Sequence, residues 1–261
     1  MPDFFPWLKD EMRLLAEQGL LRERRTVLRR PRGRCEVCGR ELCDFASNDY
    51  LGLSQDPRVI HAARKATEEF GAGSGGSCLV AGRSPWHEGL ERRLAQFEGQ
   101  EAALLFPTGF AANVGTIAAL VERGDLICSD RLNHASLIDG CRLSGALVHV
   151  YDRDQLHRLD ARLSAVRDVR RKLIVTDGVF SMDGVLAPLV ELCELAAKHG
   201  AMLLVDEAHA TGVFGQNGRL IGVEHLYKWV DPFVHATSPA AANARVKRPL
   251  PQVVQVYRSD R

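Results

Sequence analysis

Leu203-Leu204-Val205-Asp206-Glu207-Ala208-His209-Ala210-Thr211-Gly212 is the stretch on which the reading of this chain turns. An apolar run starting near Ala201 has the length of a buried strand, and it stops in a carboxylate with a histidine three residues later. A strand of a parallel sheet that ends in an acid places negative charge at the ligand-binding edge, where it suits a cationic ring nitrogen. The alternative for Asp206 is a structural salt bridge.

Upstream of this stretch, strand-length apolar runs alternate with helical patterns. Ala102 to Phe106 precedes a helix over Gly109 to Glu122, and Asp125 to Ser129 precedes one over His134 to Leu143. Ala146 to Tyr151 is followed by Asp154 to Val166. Lys172 to Asp177 and Ala201 to Asp206 are separated by a helix from about Pro188 to His199. This alternation predicts an α/β fold, a three-layer α/β/α arrangement around a mainly parallel sheet.

The flanks read differently. Phe5, Leu8, Met12 and Leu15 recur at helical spacing and predict an amphipathic arm reaching about Arg30, followed by a short hairpin around Gly39-Arg40. Asp56-Pro57 and Ser84-Pro85 each place a capping residue before a first-turn proline, opening helices that end at Gly71 and Gly99. Gly71 to Gly76 matches the G-x-G-x-x-G spacing of dinucleotide sites, but a charged helix precedes it instead of a strand. It is therefore read as a loop bordering a cleft. Residues 1–45 are expected to form the arm and hairpin, 46–230 an incomplete large domain, and 231–261, small-residue-rich, basic and interrupted by proline, a disordered tail.

Of the 261 residues, 46% are hydrophobic, enough for a full-sized core, and the formal charge of +1 predicts no general attraction to nucleic acid or membrane. The arginines between Arg22 and Arg34 read as a solvated surface. No apolar segment approaches the ~20 residues needed to span a bilayer and no leader pattern opens the chain, so a cytoplasmic protein is expected. Seven cysteines, mostly scattered, suggest reduced thiols. Cys35-Glu36-Val37-Cys38 with Cys43 lacks a second ligand pair nearby, so no metal site is expected.

Three further segments carry chemistry. Thr108-Gly109-Phe110 stands where a strand meets a helix, and unpaired first-turn amides with the helix dipole make a phosphate dock there; an ordinary capped turn is the alternative. His134 follows the Asp125 to Ser129 strand, positioned to lie against an aromatic ring or to cap its own helix. Ser181, in Val179-Phe180-Ser181-Met182-Asp183-Gly184, offers a hydroxyl on a turn whose Asp183-Gly184 reads equally as plain turn chemistry.

These segments resemble, in order, the motifs of the α-oxoamine synthase family of fold-type-I pyridoxal-phosphate enzymes. They are Ser47-Asn48-Asp49-Tyr50-Leu51-Gly52-Leu53, Gly73-Ser74-Gly75-Gly76-Ser77, Thr108-Gly109-Phe110-Ala111-Ala112-Asn113, Asn133-His134-Ala135-Ser136, Gly178 to Gly184 and Asp206 to Gly212. The resemblance implies pyridoxal 5'-phosphate (PLP) as cofactor. Thr108, Gly109 and Phe110 would lie at its phosphate, His134 against its ring and Asp206 at its ring nitrogen. His209 and Ser181 would face its phenolic oxygen or the substrate, and Asn48 and Arg22 the substrate. His134, Asp206 and His209 are the implied catalytic residues. The implied reaction condenses L-alanine with pimeloyl-CoA, or the carrier-protein thioester, with loss of CO2, giving 8-amino-7-oxononanoate for biotin synthesis. A homodimer is implied too. Branches of the glycine C-acetyltransferase and aminolevulinate synthase type, and a non-catalytic relative, are the alternatives.

One departure accompanies the resemblance. The family's cofactor lysine belongs in a Thr-x-Ser-Lys-like segment beyond the aspartate, and this chain reads His235-Ala236-Thr237-Ser238-Pro239-Ala240 there. Lys228 and Lys247 are the nearest lysines, and neither has the expected surroundings. A C-terminally truncated or frame-shifted reading frame, inactive alone and lacking the family's small domain, is the expectation.

Overall fold

The computed structural model describes residues 5–30, 33–215, 218 and 253–256. By its internal contacts the chain divides into two compact units, Met1–Gly71 and Ala72–Arg261.

In the first unit, α1 (Pro6–Glu17) begins with a first-turn proline and stops well short of Arg30, because Gly19 takes a left-handed φ of +67° that ends the helix. Val27–Arg30, expected to be helical, instead form β1 and pair antiparallel with β2 (Arg34–Val37), which pairs with β3 (Arg40–Cys43). Cys38 and Gly39 both have positive φ, 52° and 74°, as a tight two-residue hairpin turn requires. Helix α2 (Pro57–Phe70) opens on Asp56, whose carboxylate accepts from the Arg58 amide at 2.8 Å and from the Arg58 guanidinium. Those bonds hold its carboxyl down at about 2.

The second unit opens with α3 (Pro85–Glu98), where the Ser84 amide donates to Nδ1 of His87 at 3.1 Å. Ala102 to Phe106 is not a strand. The Leu105 amide donates to Glu91 Oε1 at 3.1 Å, so α3 takes a donor that a ladder would have used. Helix α4 (Gly109–Leu120) follows, then β4 (Leu126–Asp130), α5 (Ala135–Ser144), β5 (Leu147–Tyr151), α6 (Leu156–Ala165), β6 (Lys172–Asp177), α7 (Leu189–His199) and β7 (Met202–Asp206). Val253–Val256, expected within a disordered tail, form β8. A run rich in β-branched valine suits extended backbone, and it pairs in parallel with β7.

The sheet order is β5-β4-β6-β7-β8, all parallel. Strand alternation sorts its side chains into two cores. Leu126, Cys128, Ile174, Leu203 and Val205 pack with Leu159 and Leu163 of α6 and Leu192 and Ala196 of α7. Ile127, Leu173, Val175 and Leu204 pack with Ala112 and Ile117 of α4 and Leu137 and Cys141 of α5. The three-layer arrangement follows directly from that parity. Because parallel crossovers are right-handed, the leftward connection β4 to β5 sends α5 to one face, while the rightward connections through α6 and α7 cover the other. The winding direction therefore reverses between β4 and β6, which opens a crevice at their C-terminal ends.

Candidate active site

Three buried groups at that crevice share one parity. Ser129, Asp177 and Asp206 lie in register with Ile127, Val175 and Leu204, so all three face the α4/α5 layer at the strands' C-terminal ends. Asn133, buried in the turn after β4, joins two of these strands. Its Nδ2 donates to Ser129 Oγ at 2.9 Å and to the Val175 carbonyl at 2.9 Å, while its Oδ1 accepts from the Asp177 amide at 2.9 Å. Asp177 Oδ2 in turn accepts from the His134 amide at 2.7 Å, setting where α5 begins.

Asp206 is 3% exposed. Its Oδ1 accepts from the Ala208 amide at 2.9 Å and its Oδ2 from Asn113 Nδ2 at 2.8 Å. Asn113, fully buried one turn into α4, also donates from Nδ2 to Ser136 Oγ at 2.8 Å. Ser136 Oγ lies 2.7 Å from His134 Nδ1. A continuous chain of hydrogen bonds therefore runs from the end of β7, through α4, to the start of α5. It joins Asp206 to His134, the two residues that sequence reasoning placed at one site. Among the described residues the acid makes no salt bridge; neutral donors hold it.

Thr108 caps α4, its Oγ1 accepting from the Ala111 amide at 3.0 Å, so the Gly109 and Phe110 amides precede the first intrahelical bond. Gly109 is buried, while Thr108 and Phe110 are exposed. His209 is half-buried in the turn following Asp206. Ser181 is exposed on the Phe180 to Gly184 turn, outside the Asp206–His134 network. That turn is anchored by Arg153, which stacks 4.1 Å over the Phe180 ring and lies 3.8 Å from the Asp183 carboxylate. Asn48 and Arg22 belong to the first unit; both are exposed, and Asn48 Oδ1 accepts from the Tyr50 hydroxyl at 3.5 Å. Asn113, Asn133 and Ser136 lie within the motifs, but the sequence alone assigns them no role. For Asn113 and Ser136 the signal was a small polar residue in a helix that otherwise packs the core; Asn133, in a turn with exposed neighbours, gave none.

Glu207 is fully buried with no hydrogen-bond partner for either oxygen, and burial, then the charges of Glu98 and Asp206, push its carboxyl up to about 8. Gly178 makes room for it, since a Cβ there would sit 2.5 Å from Glu207 Oε1. The lysines of the second unit that are described are engaged elsewhere. Lys172 Nζ donates to the Leu163 carbonyl at 2.9 Å, and Lys198 pairs with Asp160 at 2.8 Å. Lys228 and Lys247 lie outside the described residues.

A parallel sheet carrying a buried acid at the end of one strand, a histidine after another and a helix N-terminus opposite them is the large-domain arrangement of fold-type-I pyridoxal-phosphate-dependent transferases. The chain belongs to the aminotransferase class I and II family, which its residues 40–236 match. It is similar to an 8-amino-7-oxononanoate synthase of Geobacter sulfurreducens, 52% identical over 209 residues, covering 80% of this chain and 54% of that protein. Among solved structures it resembles serine palmitoyltransferase from S. paucimobilis with PLP and myriocin bound. That likeness has 35% identity and a TM-score of 0.75, over 84% of this chain and 55% of the other. It also resembles 8-amino-7-oxononanoate synthase from Francisella tularensis, with 33% identity and a TM-score of 0.56 over 67% and 47%. The chain spans about half the length of the curated relatives it matches.

The residues present fit PLP. First-turn amides at the start of α4 suit its phosphate, a buried carboxylate suits a protonated ring nitrogen, and the buried Asn113 Oδ1, without a partner among the described residues, marks polar capacity beside that carboxylate.

Proposed function

We propose that residues 46–230 carry the PLP-binding part of an acyltransferase that condenses L-alanine with a pimeloyl thioester, losing CO2, to form 8-amino-7-oxononanoate. The observation that supports it best is the buried hydrogen-bond chain from Asp206 through Asn113 and Ser136 to His134, at the switch point of the sheet. Identities of 46–55% to curated proteins named as 8-amino-7-oxononanoate synthases support this branch.

In this reading PLP supplies an electron sink for the carbon that loses its proton or carboxylate. The chain's own residues bind and orient. The amides of Gly109 and Phe110, capped by Thr108, hold the phosphate, and Asp206 keeps a proton at the ring nitrogen. His134 packs on the ring, while His209 and Ser181 contact its phenolic oxygen or the substrate. By the family resemblance, Asn48 and Arg22 are assigned to the substrate. A homodimer and a cytoplasmic location complete the proposal; among the described residues no helix is long and apolar enough to cross a membrane.

Titration of the purified chain with PLP, followed by visible absorbance, tests this. Binding that Asp206→Asn weakens at least about tenfold, and a spectrum that L-alanine perturbs at lower concentration than glycine or serine, are expected. Neither Lys172 nor Lys198 is expected to link covalently to the cofactor, so borohydride should not fix PLP to either, and no thiol release from pimeloyl-CoA is expected from the chain alone. Equal responses to glycine and alanine would overturn the substrate assignment. Absence of PLP binding would overturn the cofactor assignment.

A further inference from the structure

The protons along the buried chain can be assigned one by one. The Ser136 backbone amide donates to His134 Nδ1 at 3.3 Å, and an amide has no other role, so Nδ1 is an acceptor and carries no proton. The contact of 2.7 Å between Ser136 Oγ and the same nitrogen is then a bond that the serine hydroxyl donates. With its proton used, Ser136 Oγ accepts from Asn113. The orientation of the Asn113 amide is fixed independently at its other contact. Asp206 Oδ2 offers only an acceptor, so Nδ2, and not Oδ1, must face it, and the two Nδ2 protons serve Asp206 and Ser136. Every donor meets an acceptor in one direction only. A neutral imidazole without a proton on Nδ1 carries it on Nε2, on the far side of the ring from Ser136.

We infer that Asn113 and Ser136 are positioning residues that hold His134 in its Nε2–H tautomer and tie that tautomer to the Asp206 carboxylate. The assignment gives a role to two buried polar residues that the proposed function leaves without one, and it rests on that reading only for its link to catalysis. Asn113 acts through Ser136. It occupies the hydroxyl's acceptor position, so the serine proton has one buried destination. Burial makes this directional, since Asn113 and Ser136 are both fully buried and water does not compete for these bonds.

Long-range 1H–15N correlation of the full chain labelled at histidine nitrogen, without cofactor, tests this, with His134 assigned by the signals lost in His134→Gln. In the unsubstituted chain His134 is expected to show a protonated-type Nε2 and an unprotonated-type Nδ1. Ser136→Ala should shift Nδ1 downfield, because the unprotonated nitrogen loses its hydroxyl donor while the backbone amide at position 136 remains. Asn113→Ala should shift Nδ1 the same way by less, and adding it to Ser136→Ala should bring no further shift, because its influence passes through the hydroxyl. A proton on Nδ1 in the unsubstituted chain overturns the inference whatever the variants do. So does an Nδ1 resonance that Ser136→Ala leaves in place, or a further shift in the double variant. A chain that shows the expected tautomer but binds no PLP would overturn the proposed cofactor role and leave this assignment standing.

Discussion

At the residue scale, Glu207 and Asp206 are adjacent acids with opposite surroundings. Asp206 accepts two N–H bonds, whereas Glu207 is buried without a partner and its carboxyl rises to about 8. A carboxyl raised on folding is neutral in both states below its ordinary value of 4.5. Above that pH the unfolded chain ionises first, so stability falls as pH rises from about 4.5 to about 8 and then levels. The slope from this one group is at most about 1.4 kcal/mol per pH unit. Urea denaturation across that window should show a shallower decline for Glu207→Gln than for the unsubstituted chain. Asp206→Asn, by contrast, sets an amide donor against either the Asn113 or the Ala208 N–H. It should cost about 1–3 kcal/mol at neutral pH in the same assay.

At the element scale, the site depends on how closely α4 approaches α5, because Asn113 and Ser136 meet across that contact. Gly140 permits the approach. A Cβ there would lie 2.9 Å from Ile117 Cδ1 and 3.2 Å from Val114 Cα, and the second of these is backbone that cannot swing aside. Gly140→Ala is expected to destabilise the fold by about 1–3 kcal/mol, seen as a lower denaturation midpoint. It should also disturb His134 more than a surface substitution of equal cost, because the displaced helix carries Asn113. The opposite layer has its own tie: Asp160 on α6 receives Lys198 at 2.8 Å and His199 at 2.6 Å from the end of α7. That bond pattern lies far along the sheet from the crevice and serves packing.

At the scale of the whole molecule, the second unit presents an apolar edge. Among the described residues β5 has one neighbour, β4, and exposes Leu147, Val148 and Val150, the last at 57%. An uncovered, flat, apolar edge strand is a template for pairing with another chain. Concentration-dependent light scattering of the isolated chain is expected, and Val150→Lys should reduce it while lowering the unfolding free energy by no more than about 0.5 kcal/mol. At the opposite side, β8 pairs with β7, so that strand is not an open edge.

The local pattern of the sequence determined the elements and their faces. Cap residues at Asp56 and Thr108, left-handed glycines after helices, and alternation within Leu126–Asp130, Lys172–Asp177 and Met202–Asp206 are properties of neighbouring residues, so they were legible before any fold was known. The parallel sheet and the capped start of α4 followed from them, while the expectation that Asp206 and His134 share one site came from the family resemblance. What required the tertiary structure was pairing at a distance. Ala102 to Phe106 looks like a strand, but Glu91 takes one of its amides; Val253–Val256 looks like tail, but β7 gives it a partner. Asn113 and Ser136 are 23 residues apart, and Asn113 and Asp206 are 93 apart. No local period encodes which distant donor meets which acceptor, because that is set only when both helices close on the same face of the sheet.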